Sequence, residues 1–385
     1  MKRYDVVIIG AGLAGLQCAR LLCKQGARVL LVDRKVLLTN AIHTTGIFVR
    51  RTLEDFDFPA ECLGPPVRHV SLYSPARREL MLESKNDEFR VGRMAKLYDH
   101  YLHQSTEAGV EWAPGTRYAG CKWSDTNSVV RLETGGTNWA VRADYVVGGD
   151  GARSRVARDL GLELNSEWIV GVEEVFTGVP LDGPPRFHCF LDPELAPGYL
   201  AWIVHDGEET HVGVGGYAAK FDPLRALEKF RISIDGSIVN LSGAHRVERR
   251  GGRIPVGGVL KRIANERGLL IGDAAGAVSP LTAGGLDPCM RLSSLAADVI
   301  GNYLASRNPD DLAAYSGEAF RAKFTSRIWM RRCLARMNRK LFLEVTCGVL
   351  RLPLFSSVAW HVFFGRGSFP SDDAGALRLG RCPVR

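Results

Sequence analysis

Gly10-Ala11-Gly12-Leu13-Ala14-Gly15 sets three glycines at G-x-G-x-x-G spacing directly after a short apolar run. Glycine at the first position permits a tight turn, at the second it lets backbone approach a pyrophosphate, and at the third it allows close helix–strand packing. The helix start that follows, Ala14 included, offers unpaired N–H groups and a positive dipole end to phosphates. Asp33 lies 18 residues after Gly15, where a carboxylate accepts hydrogen bonds from a ribose 2′-hydroxyl. Arg34 would suit a 2′-phosphate, but the adjacent Asp33 favours an unphosphorylated ribose. The chemistry implied so far is dinucleotide binding. Two distant segments repeat the theme of a strand running into small residues: Gly148-Gly149-Asp150-Gly151 and Gly272-Asp273-Ala274-Ala275-Gly276. Small side chains let backbone touch a flat cofactor, and Asp150 or Asp273 can bind the hydroxyls of a sugar-like chain.

These residues need elements to hold them. Tyr4 to Ile9 is rich in β-branched residues and predicts a buried parallel strand. A helix over 14–25 and a second buried strand from Ala27 to Val32 complete a βαβ unit of about thirty residues. Leu97, Tyr98, Tyr101 and Leu102 predict a helix over 94–108, stopped by Gly109. Segments 128–134 and 138–142, separated by Gly135-Gly136, predict an antiparallel hairpin, and Asp144 to Val147 a separate buried strand. From 166 to 260 short strands near 168–179, 186–191, 199–205 and 210–216 predict an antiparallel meander. Buried-strand character resumes at 269–272, a long helix is expected over 284–305, and from 309 onward the chain is expected to be helical.

A glycine loop, an Asp-Gly loop and a distant Gly-Asp-Ala loop together resemble the FAD fold of the para-hydroxybenzoate hydroxylase group, over residues 4 to about 305. Within that group the chain resembles the geranylgeranyl reductase family through Gly272–Gly276, Pro280-Leu281-Thr282-Ala283-Gly284-Gly285-Leu286, Pro197-Gly198-Tyr199-Leu200-Ala201-Trp202 and His211-Val212-Gly213-Val214-Gly215. The resemblance implies an α/β fold: a discontinuous Rossmann-like FAD-binding domain over 1–165 and 261–308, with part of the sheet domain within 40–92. An antiparallel substrate domain over 166–260 and a basic helical region over 309–385 complete it. It implies that Asp273 contacts FAD and that Gly284, Gly285 and Leu286 present backbone N–H groups to the flavin. Arg93 is expected against the phosphates or ribityl chain, and Tyr199, Trp202, Gly213 and Gly215 along the substrate cavity. Reductases of this family commonly carry a cysteine in the loop after the second strand. Here the loop is Asn40-Ala41-Ile42-His43-Thr44-Thr45-Gly46, so His43, Thr44 and Thr45 are the candidates to donate protons or hydrogen bonds.

Two reactions suit such a site. One is C=C reduction in an isoprenoid or similar large apolar substrate; the alternative is oxygen activation for hydroxylation or epoxidation of an aromatic or polyketide-like one. Halogenation ranks last, because a W-x-W-x-I-P segment is missing and Trp202 is only a partial match. A non-catalytic FAD protein also ranks low. No second dinucleotide loop exists, since Gly213-Val214-Gly215-Gly216 has the wrong spacing. NAD(P)H or another reductant is therefore expected to donate electrons in passing.

Composition bounds the rest. The nine cysteines are dispersed without metal-ligand spacing, so no metal is expected, and reduced thiols in a cytoplasmic protein are. Residues 321–385 hold 13 Lys/Arg against three acids, so the basicity belongs to the tail and nucleic acid is an unexpected partner. Met330, Leu334, Met337 and Leu341 predict one apolar helical face, followed by an apolar stretch over 341–364 broken at Arg351-Leu352-Pro353. That region is expected either to cover the substrate cavity, to rest peripherally on a membrane surface, or both. The substrate partner is expected to be an apolar small molecule or lipid.

Overall fold

Strand Arg3–Ile9 is buried continuously from Val6 to Ile9, because parallel strands flank it on either side and its side chains pack into the core. The computed structural model describes residues 1–123, 127–337 and 339–365. In the first sheet Arg3–Ile9 lies between Val29–Val32 and Thr137–Gly148, both parallel to it. Gly268–Leu270 extends the sheet on one side and Glu111–Ala113 on the other. Helices Leu13–Lys24, Met94–Glu107 and Leu286–Ser306 pack together, with Gln17 Nε2 donating to Ser294 Oγ at 3.2 Å. Leu16 and Leu22 are completely buried there, each stabilising the fold by about 1.5–3 kcal/mol.

The expected hairpin arm at 138–142 and buried strand at 144–147 are one strand of 12 residues, Thr137–Gly148. Nothing in that stretch breaks extended backbone. Its first half pairs with Ser128–Thr134 and its second half runs beside Arg3–Ile9. Asp144 lies at the changeover, its buried carboxylate held by Arg3 at 3.0 Å and Arg307 at 2.8 Å.

The second sheet runs in the order His245–Pro255, Trp168–Thr177, Glu209–Gly216, Ala201–His205, Arg186–Phe190, His69–Tyr73, Glu79–Glu83. Only the three strands from 186 to 216 form a meander. Trp168–Thr177 inserts between Glu209–Gly216 and His245–Pro255, and Arg186–Phe190 pairs in parallel with His69–Tyr73. The expectation for 166–260 omitted strand His245–Pro255 and a helix. Helix Pro223–Ile234 starts at Asp222, whose carboxylate accepts from the N–H groups of Leu224 and Arg225, and Pro223 occupies the first helical position. It buries Ala226, Leu227, Phe230 and Ile234 against Ile203, Val212 and Val214 on one face of the sheet. The other face looks toward the first sheet, and the cleft lies between them.

Among the described residues four α-helices follow the first-sheet helices: the short Gly317–Ala322, then Thr325–Arg336, Lys340–Leu350 and Pro353–Phe364. The expected single apolar face from Met330 to Leu341 is interrupted. Helix Thr325–Arg336 ends there, Met337 leaves helical geometry at φ −81°, ψ 68°, and Leu341 is 74% exposed. The expected break at Pro353 is real, and the two helices flanking it meet at 102°. Among the described residues no single helix is long and apolar enough to cross a membrane.

Candidate functional site

Val32, Ile9 and Gly149 converge where the first two strands end, and Gly10 is the residue that lets them do so. Its N–H donates to Val32 O at 2.8 Å, while the Gly149 N–H donates to Ile9 O at 2.7 Å. Gly10 has φ +105°, and a Cβ there would lie 2.2 Å from Gly149 O. At Gly15 a Cβ would lie 1.9 Å from Gly10 O, so this glycine closes helix onto strand as expected. Gly12 differs: a Cβ would meet nothing within 4 Å. The open side of that position is the cleft, and Gly12 is the N-cap of Leu13–Lys24 with no side-chain cap on the helix N–H groups. Asp33 fixes the loop, its Oδ2 accepting from Ala11 N and its Oδ1 from Lys35 N, each at 2.8 Å. Ala14, Asp33 and Arg34 all line the cleft.

The distant loops meet this one. Gly272, at φ +56°, sits beside Ala14, where an added Cβ would lie 3.2 Å from the alanine methyl, and with Asp273 it lines the cleft; Asn165 Nδ2 donates to Asp273 O at 2.9 Å. Burial without a nearby cation pushes the Asp273 carboxyl up to about 6. Gly284, Gly285 and Leu286 stand at the start of Leu286–Ser306, again with no side-chain cap, and face the same space. Asp150 lines the cleft too, but its carboxylate is engaged locally. It accepts from Ser154 Oγ at 2.6 Å, Arg155 N at 2.7 Å and Val156 N at 3.2 Å, so it anchors the start of helix Arg155–Asp159. Two uncapped helix starts, an open glycine position and a hydroxyl-accepting carboxylate at one cleft fit a dinucleotide such as FAD.

Arg93 does not line the cleft. It precedes helix Met94–Glu107, and its Nη1 donates to Glu61 O at 3.0 Å while its Nε lies 3.3 Å from Glu208. Gly213 and Gly215 do not line the cleft either. They are seats beneath the rings that do: a Cβ at Gly213 would lie 2.3 Å from the Trp202 indole, and one at Gly215 2.7 Å from the Tyr199 ring. Cross-strand pairing of Trp202 with Gly213 sets that contact.

The cleft has a volume of about 1480 Å³, beyond the ~300–1,000 Å³ usual for one small ligand. Its far part is apolar, walled by Tyr199, Trp202 and Phe187 from the second sheet and by Met330, Leu334 and Phe363 from the C-terminal helices. Tyr199 is held by its hydroxyl, which donates to Thr282 O at 2.7 Å. Met337 belongs to the same wall although its helix has ended.

The 40–46 loop reaches the middle of the cleft, and His43, Thr44 and Thr45 all line it. His43 Nδ1 lies 3.1 Å from Gly251 O; a carbonyl only accepts, so that nitrogen carries the proton. Burial and then Lys35 lower the His43 pKa, which makes it a neutral ring with its proton already engaged. Thr44 Oγ1 accepts from Gly46 N at 3.2 Å. Thr45 donates to Glu173 Oε2 at 2.6 Å, and Trp202 Nε1 donates to the same oxygen at 3.2 Å. Glu173 and its buried neighbour Arg250 went unnoticed in the sequence, and His211 was read only as the first residue of a resemblance segment. The available signal was a glutamate pair, Glu173-Glu174, inside an otherwise apolar strand.

Comparison with known proteins bears on the family and the fold. The family described as FAD binding domain matches residues 3–326. Digeranylgeranylglycerophospholipid reductase 1 of Methanopyrus kandleri is 30% identical over 306 residues, covering 77% of this chain and 80% of that protein. A geranylgeranyl bacteriochlorophyll reductase-like protein of Thermoplasma acidophilum superposes with a TM-score of 0.83 at 20% identity, over 95% of this chain and 98% of the other. The p-nitrophenol 4-monooxygenase of Pseudomonas putida follows at 0.72 and 16% identity, over 95% of this chain and 100% of the other, and carries the same fold. By sequence and by fold the chain belongs to the FAD binding domain family, and within it to the geranylgeranyl reductase group of FAD-dependent oxidoreductases.

Proposed function

We propose that this enzyme reduces carbon–carbon double bonds in the isoprenoid chain of a lipid, with NAD(P)H or another reductant feeding the flavin transiently. The observation that carries the reading is the apolar extension of the cleft, which starts at the flavin loops and runs under the C-terminal helices. The name of the Methanopyrus kandleri relative, a reductase of a digeranylgeranyl lipid, points the same way. Gly10, Gly12, Ala14, Asp33 and Arg34 would hold the nucleotide end of FAD, and Gly272, Asp273, Gly284, Gly285 and Leu286 the flavin end. Bound FAD, once reduced, supplies a hydride. The chain itself orients the substrate across Tyr199 and Trp202, excludes water with Met330, Leu334 and Phe363, and presents the Thr44 and Thr45 hydroxyls to the reacting region.

Anaerobically reduced protein mixed with an isoprenoid lipid should be reoxidised at the rate at which saturated product forms, followed by absorbance and mass spectrometry. Reoxidation only by oxygen, with a product heavier by one oxygen atom from an aromatic acceptor, would replace this reading with the monooxygenase one. The shared fold of the p-nitrophenol enzyme keeps that second reading specific.

We also propose that helices Lys340–Leu350 and Pro353–Phe364 rest on a membrane and admit the lipid. Their inner side, through Leu343, Leu350 and Phe363, lines the cleft. Their outer side exposes Leu341, Val345 and Leu354 at 74%, 58% and 80%, next to Lys340 and Arg351. An exposed apolar surface rimmed by cations suits an anionic bilayer. The protein should sediment with phosphatidylglycerol vesicles, and Leu354→Glu should weaken that binding about tenfold, as expected for losing one buried leucyl side chain. Absence of vesicle binding at low ionic strength would sink the membrane proposal.

A further inference from the structure

One face of the second sheet carries a buried polar chain that the flavin and substrate contacts leave unused. Register pairs Glu173 with Gly213 on one side and with Arg250 on the other, and places His211 opposite Val175, one diagonal step from Glu173. Side chains alternate along strands, so Glu173, His211, Trp202 and Arg250 project together toward the cleft. His211 Nδ1 lies 3.4 Å from Glu173 Oε1, and His211 Nε2 lies 3.5 Å from Asp206 Oδ2. At one end Thr45 donates to Glu173 from the cleft wall. At the other end Asp206 is fixed by the N–H groups of Glu208 and Glu209, in a turn where Gly207 and Glu208 are exposed.

We propose that this chain, from the Asp206 turn through His211 and Glu173 to the Thr45 hydroxyl, delivers the proton that completes saturation of the substrate double bond. The proposal rests on the reductase reading above. Saturation needs a hydride at one carbon, which reduced flavin supplies, and a proton at the other. As the Thr45 O–H bond breaks toward that carbon, His211 Nδ1 passes its proton to the Glu173 carboxylate, and the carboxyl so formed passes one to the Thr45 oxygen. The imidazole is left neutral with its remaining proton on Nε2, and a ring flip that turns Nδ1 toward Asp206 lets water at the 206–209 turn reprotonate it. Thr45 is the catalytic residue in this step; Glu173, His211 and Asp206 act through it.

The charge states suit a stored proton. Burial alone would lower the His211 pKa, but Asp206 and Glu173 outweigh it and raise it to about 9. Burial would raise both carboxyls, yet His211 and backbone N–H groups bring Asp206 to about 2, and His211, Thr45 and Arg250 bring Glu173 below the usual range. The remaining charged or titratable neighbours are Glu248, which binds Arg250 Nε at 2.7 Å, Glu209, and His205, whose pKa burial lowers. For stability alone a buried ionic chain has little advantage over apolar residues of similar volume.

The test pairs a spectroscopic readout with kinetics. By NMR of ring-labelled protein, His211 should titrate near pH 9 and should move down by at least one unit in Glu173→Gln. Thr45→Val, which keeps side-chain size, should slow double-bond saturation about 100-fold, with flavin reduction by dithionite unchanged. The wild-type saturation rate should fall as pH rises through about 9, where His211 loses its proton, and Glu173→Gln, whose amide cannot pass a proton, should slow saturation at every pH below that. If wild-type protein saturates the lipid while Thr45→Val is equally fast, or His211 titrates in the ordinary range, the relay is wrong and the reductase reading stands. If wild-type protein saturates no isoprenoid acceptor, both fall.

Discussion

Gly12→Asp should give a folded protein that purifies colourless. Gly12 has φ −65° and ψ 174°, backbone that any L-residue adopts, and its missing Cβ faces open space. Aspartate is among the best N-cap residues, so the substitution should leave the helix Leu13–Lys24 intact or slightly firmer. The same carboxylate would stand where the helix start receives the phosphates. Two unit charges about 4 Å apart at an effective dielectric near 20 repel by about 4 kcal/mol, which corresponds to about a thousandfold loss of FAD affinity. Flavin absorbance after gel filtration and fluorescence titration of the apoprotein would measure the loss, and thermal melting would verify the fold. A yellow variant with wild-type flavin content would remove Gly12 from the phosphate site.

Gly213→Val should do the opposite, keeping the flavin and losing turnover. The new side chain would start 2.3 Å from the Trp202 ring, a contact that no rotamer relieves. The indole would have to leave its seat, break its bond to Glu173 and intrude on the apolar half of the cleft. Overpacking of this kind costs about 1–3 kcal/mol, less than the whole stability of a domain of ordinary size. The nucleotide loops belong to the first sheet and should be undisturbed. Turnover with the lipid should drop at least about 100-fold, the scale of loss when reacting groups are misplaced by about 1 Å, while flavin content stays at wild type. Gly213→Ala should lie between. Unchanged turnover in Gly213→Val would mean that the Trp202 position is irrelevant to the substrate.

The parts of the site that could be read along the chain are those governed by local constraint. Gly10 and Gly15 are legible because each closes a contact no other residue permits, and the spacing alone announces it. The helix start at Asp222-Pro223 was equally local and could have been found; its cap and first-position proline are standard signals, overlooked between two strands. His245–Pro255 was hidden for a different reason. Its arginines and glycines suggest a loop, and only pairing with Trp168–Thr177 gives those arginines carboxylate partners such as Glu174. Arg93 was assigned by its place before a helix, but which way a guanidinium turns depends on the rotation of that helix against its neighbours. Glu173 and His211 lie 38 residues apart and meet only through strand register. No spacing rule reports that.

The cleft is walled by residues from both ends of the folding unit, Gly10 early and Gly272 to Leu286 late, with a complete second sheet formed between them. During synthesis the first strand therefore emerges well before Thr137–Gly148 and Gly268–Leu270 exist to flank it. The cofactor pocket cannot form on a partial chain, and flavin can select only a finished one. Once bound, FAD ties the earliest segment to the latest and stabilises the native state in proportion to RT ln(1 + [FAD]/Kd). Flavin supply thus becomes a checkpoint on how much of the polypeptide survives to work.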